Sequence, residues 1–72
     1  MNGNKLKGKI VEKQFTQEKL AEMLGISVQT LNAKLNGRKK FNLDEVVSIT
    51  HILAIQDPVD IFFENDTPNM QR

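Results

Sequence analysis

Apolar residues recur along this chain in short runs at helical spacing, separated by brief polar turns. In the run 17–24, Leu20, Ala21 and Leu24 share one helix face, and Gln17, Glu18, Lys19 and Glu22 take the other. A second run places Val28, Leu31 and Leu35 three and four residues apart as its inward face. Only Gly25, Ile26 and Ser27 separate the two. Gly25 suits the position past a helix end, where the backbone turns to positive φ. Ser27 suits an N-cap, accepting a bond from a free backbone N–H. Asn36-Gly37 then stops the second run. A three-residue link is too short for antiparallel helices, so the pair is expected to cross steeply as a helix-turn-helix.

Three predicted helix starts share one signature, a polar cap flanked by an apolar staple. These are Phe15-Thr16 with Leu20, Ile26-Ser27 with Leu31, and Phe41-Asn42 with Val46. Glu45 at the third position of the last one completes a capping box. Leu6, Ile10 and Val11 predict a first helix over about 4–13, although Gly8 inside it costs roughly 1 kcal/mol against Ala. Leu43, Val46, Val47, Thr50 and Leu53 or Ala54 predict a fourth helix, with Ile49 and Ile52 widening its apolar surface. Asp57-Pro58 opens a short fifth helix, Asp as cap and Pro at its first position, with Val59, Ile61, Phe62 and Phe63 as apolar members. Residues 64–72 are polar and predict a frayed tail. No stretch reads as a strand. The expected fold is all-α, a compact bundle of about five short helices forming one domain over 1–63.

At 72 residues the core is small. A core of this size supplies about 3–5 kcal/mol net, so burial in a dimer would help. The absence of cysteine excludes disulfides and thiolate metal sites and fits a reducing cytosol. No secretory leader and no membrane span are expected, since no apolar run is long enough. Charge is the more telling quantity. The net value of +1 conceals nine basic and three acidic residues in 1–40, against one basic and six acidic in 41–72. The positive half contains the helix-turn-helix. Such polarity would draw a polyanion to one end of the domain.

The stretch FTQEKLAEMLGISVQTLNAKLNGRKKFNLDEVVSI resembles the Cro and phage-repressor helix-turn-helix family, often called XRE-like. The shared features are the Thr-Gln-Glu-x-Leu-Ala opening, the Leu-Gly-x-Ser turn, Leu31, the Asn-Gly stop, a basic loop and a following apolar helix. The resemblance spans roughly residues 4–63. It implies a lambda-repressor-like fold, binding to operator double-stranded DNA as a homodimer, and regulation of transcription, often in phage or prophage. It further implies a cytoplasmic, nucleoid-associated protein.

With Leu31 and Leu35 as buried centre, a turn of about 100° per residue points Gln29, Ala33 and Asn36 outward and leaves Val28 and Asn32 on the flanks. In the family resembled, Val28, Gln29, Asn32 and Ala33 match positions facing base edges. Gln29 suits a bidentate pair with adenine, and Ala33 or Val28 suits a thymine methyl. The alternative for Gln29 is an ordinary solvated side chain, for Val28 partial burial near the turn, and for Asn32 a phosphate contact. Gln17, Ser27 and Asn36 match phosphate-contacting positions. Arg38, Lys39 and Lys40 would add a salt-dependent attraction. Lys34 stands where relatives often carry an apolar residue; its stem is expected along the core edge with the ammonium in solvent.

The remaining chemistry is sparse. His51 stands alone on the fourth helix and is expected at the surface, with no partner for a metal site. Met23 fits the core or an interface edge. Phe62 and Phe63 are adjacent, so a short helix buries one more readily than both. No cofactor, metal or small-molecule ligand is expected, and nothing suggests an enzyme. The alternative to a DNA-binding regulator is a protein-interaction module on the same fold, an antitoxin or antirepressor working through Val59, Ile61, Phe62 and Phe63.

Overall fold

A computed structural model describes residues 1–63; the expected polar tail, 64–72, lies outside the described residues. Five helices follow in order: α1 (Gly3–Glu12), α2 (Gln17–Leu24), α3 (Val28–Leu35), α4 (Leu43–Ile52) and α5 (Pro58–Phe62). No strand occurs among the described residues. The fold is therefore an all-α bundle. α3 packs between α2 and α1, α4 lies against α2, and α5 bridges α1 and α4. Among the described residues no helix is long and apolar enough to cross a membrane.

The starts follow the capping residues. The side chains of Asn2, Thr16, Ser27 and Asn42 accept the N–H of Lys5, Lys19, Thr30 and Glu45 at 3.0, 3.0, 3.0 and 2.8 Å. Glu45 reaches back to the Asn42 N–H at 2.9 Å, closing the capping box. Asp57 is the exception. Its side chain makes no cap bond, and α5 starts on the preset φ of Pro58 instead.

The helix ends share one device. After each of α1, α2, α3 and α4 a residue turns left-handed: Gln14 (φ 63), Gly25 (φ 73), Gly37 (φ 81) and Ala54 (φ 50). The next residue donates its N–H back to the helix: Phe15 to Ile10, Ile26 to Ala21, Arg38 to Ala33 and Ile55 to Thr50, at 2.9, 3.0, 2.9 and 2.9 Å. This is the Schellman closure. In three of the four, the returning residue is apolar and folds toward the core: Ile55 is buried, while Phe15 and Ile26 are half-buried against it.

That core joins Leu6, Ile10, Leu20, Ala21, Leu31, Leu35, Ile49, Leu53, Ile55, Ile61 and Phe62. Leu53, not Ala54, is the inward residue at the end of α4, and Phe62, not Phe63, is the buried ring. Four expected inward residues face solvent: Val11 and Leu43 are 74% and 72% exposed, Val47 is 49% exposed, and Val28, at the first turn of α3, is 36% exposed. For Val11 and Val47 the reason is angular. Val11 sits about 140° round the helix from Leu6, and Val47 about 160° from Ile49, the buried centre of α4. Met23 and Val59 are also exposed. His51 is at the surface as expected.

Candidate nucleic-acid interface

The α2–α3 pair is held from its inner side and open on its outer one. Leu20, Ala21, Leu31 and Leu35 are buried, so α3 is seated through Leu31 and Leu35. Ser27 is committed at the start of α3. Its hydroxyl accepts the Thr30 N–H and donates to Thr30 Oγ1 at 2.9 Å. Val28, Gln29 and Asn36 are exposed, and Asn32 and Ala33 are half-buried. Of the four positions expected near base edges, Val28 and Gln29 are thus open to solvent, while Asn32 and Ala33, the latter expected outward, are partly covered.

A line of side-chain hydrogen bonds runs beside them. Lys7 Nζ on α1 donates to Asn36 Oδ1 at 2.8 Å. Asn36 Nδ2 donates to Asn32 Oδ1 at 3.0 Å. Asn32 Nδ2 in turn approaches Gln17 Oε1 at 3.4 Å, a long and weak bond. Three residues expected separately, Gln17, Asn32 and Asn36, are brought together in this line. The Asn32 amide is engaged on both sides, which turns it along the surface rather than straight out from α3.

The basic loop hangs from the end of α3. The backbone N–H groups of Arg38 and Lys39 both bond the Ala33 carbonyl, at 2.9 and 3.3 Å. Arg38, Lys39 and Lys40 are exposed, and their side chains form no ion pair with any described residue. Unpaired cations on a surface remain available to an outside anion.

Lys34 behaves otherwise than expected. Its ammonium does not reach solvent but sits on both Glu45 oxygens, at 2.6 and 2.7 Å, with the two side chains only 11% and 12% exposed. It also lies 5.8 Å from the Phe41 ring centre, and Phe41 meets Phe62 edge-on at 5.8 Å. A lysine stem buried along the core edge would strand its charge there; the α4 capping box supplies the missing anion. Burial alone would raise the Glu45 pKa. The Lys34 hydrogen bond, the Asn42 N–H and the Lys34 charge outweigh it and hold the carboxyl below its ordinary value. Lys34 is therefore a brace between α3 and α4.

Two contributors were missed in the sequence. Lys7 is one of four lysines on or next to α1, and nothing in their spacing distinguishes it. For Glu45 the sequence suggests capping alone; a lysine at the core edge nearby is the signal for its second role. Among the described residues no group of three or more His, Asp or Glu is placed to hold a metal ion.

The family model described as "Protein of unknown function (DUF739)" matches residues 2–65. No curated protein and no solved structure matches the chain. With the match covering nearly the whole chain, including all five helices, the protein belongs to the DUF739 family.

Proposed function

We propose that this protein is a sequence-specific double-stranded DNA-binding transcriptional regulator of the Cro and phage-repressor type. In this reading α3 enters the major groove. The observation that carries it is the outer side of α3: Gln29 and Val28 are exposed, with Ala33 beside them and three cations, Arg38, Lys39 and Lys40, at the helix end that pair with no described residue. Gln29 would pair with a base edge, and Val28 or Ala33 would pack on a thymine methyl. Ser27 acts through capping, and the cations bind phosphate. The protein would act as a homodimer on half-sites about 34 Å apart, at the nucleoid and without a cofactor. No catalytic step is part of this role.

The experiment is selection of binding sites from random duplex DNA with the purified protein. A two-fold symmetric consensus is expected, with Gln29→Ala relaxing the preference at one position per half-site. Binding without any enriched sequence would count against the reading.

One observation favours a second reading, an antitoxin or antirepressor module. Phe63 and Val59 are 44% and 68% exposed. Phe63 also borders a groove of about 280 Å3 with Met1, Phe41 and Phe62. A stable complex with another protein, weakened by replacing Val59 and Phe63 and unaffected by replacing Gln29, would support it over DNA binding.

A further inference from the structure

The hydrogen-bond line from α1 across α3 has a direction. Each amide oxygen in it takes one donor: Asn36 Oδ1 takes Lys7, Asn32 Oδ1 takes Asn36, and Gln17 Oε1 faces Asn32. Each of these oxygens keeps a second lone pair, but the unused N–H donors outnumber them. The Lys7 ammonium keeps two donors, Asn36 and Asn32 keep one each, and the Gln17 amide keeps both. A strip with a surplus of donors and a positive charge suits a ligand that only accepts. A phosphodiester backbone is such a ligand, and the ammonium adds the matching charge.

We propose that Lys7, held by Asn36, is a phosphate-binding residue, so that α1 contributes to the nucleic-acid interface together with Gln17 and Asn32. This rests on the DNA-binding reading and adds to it a contact outside the helix-turn-helix and the basic loop. The packing explains how a residue so far away in sequence takes part. α1 is pressed against the end of α3, where an added Cβ on Gly3 would stand 2.0 Å from the Leu35 carbonyl oxygen. That contact keeps the early turns of α1 level with Asn36.

The test measures affinity for mixed-sequence duplex DNA across a range of potassium chloride concentrations. The variants are Lys7→Met, Lys7→Arg, Asn36→Asp and Lys13→Met, the last a charge-matched control from the same end of the chain. Removing one phosphate contact lowers the slope of log affinity against log salt by about 0.9. Over a four-fold rise in salt, Lys7→Met should then lose ~3.5-fold less affinity than the unaltered protein. Lys7→Arg should restore the slope and Lys13→Met should leave it unchanged. Asn36→Asp, which replaces the amide N–H groups by a charged oxygen, should weaken binding while circular dichroism shows the helical fold retained. Equal slope changes for Lys7→Met and Lys13→Met would overturn the proposal while leaving DNA binding intact. Absence of duplex binding by the unaltered protein would overturn the DNA reading and this proposal with it.

Discussion

Gln14 and Ala54 occupy backbone positions that glycine takes more cheaply. Both have positive φ, and both close a helix as Gly25 and Gly37 do. The left-handed region costs a residue with a Cβ roughly 1–2 kcal/mol, whereas glycine adds about 0.4–1 kcal/mol of unfolded-state entropy. Ala54→Gly should therefore stabilise the protein by about 0.5–1 kcal/mol, read as a higher urea midpoint. A lower midpoint would show that the turn at Ala54 is not strained. The Lys34–Glu45 pair makes a different single-residue prediction. A carboxyl held below its ordinary value of 4.5 in the fold contributes stability that is present above that value. That contribution is lost as pH falls through the lowered folded value. Glu45→Gln should be less stable than the unaltered protein at neutral pH, and the gap should narrow as pH drops below about 4.5. A gap that stays constant on acidification would contradict the pairing.

At the scale of elements, the contact of α1 with α3 has the least tolerance. A Cβ on Gly3 would meet the Leu35 oxygen at 2.0 Å and the Leu35 carbonyl carbon at 3.2 Å, so one helix must shift. Backbone cannot move aside as a flexible side chain can. Gly3→Ala should destabilise by about 1–3 kcal/mol, the usual cost of overpacking, with a lower thermal midpoint as the check. Gly8 offers the contrast, since an added Cβ there meets nothing within 4 Å. Gly8→Ala should raise helix stability by up to about 1 kcal/mol. Most of this element scale was legible in the sequence. Thr16, Ser27 and Asn42 announce their helices because a cap is a local bond, three residues away. The faces of α1 and α4 are less legible. Val11, Leu43 and Val47 are apolar and near the right spacing, but the buried centre of α4 is Ile49, which only its neighbours decide.

At the scale of the molecule, charge is divided along the chain, with +6 in residues 1–40 and −5 in 41–72. Folding modifies this division locally. Lys34 is neutralised by Glu45 from the acidic half, and Lys5 pairs with Asp60. Arg38, Lys39 and Lys40 have no such partner among the described residues. Replacing all three with alanine should lower the salt slope of DNA binding by between about two and three. Folding stability should change by less than about 0.5 kcal/mol per site, because these side chains are exposed. Circular dichroism and binding isotherms at several salt concentrations separate the two effects. An unchanged slope would remove the loop from the interface.

The sequence by itself determined the five helices, the three-residue turn between α2 and α3, and the outward position of Gln29. Helical periodicity, caps and glycine stops are short-range physics, and each is written within a few neighbouring residues. Only the tertiary structure decided which lysines are occupied and where they are held. Lys34 meets a carboxylate eleven residues on, and Lys7 meets an amide 29 residues on. Such partners depend on how whole helices dock, not on local pattern. The helix-turn-helix is thus legible as a segment, while the polar strip joining Lys7, Asn36, Asn32 and Gln17 exists only once α1 has packed against α3.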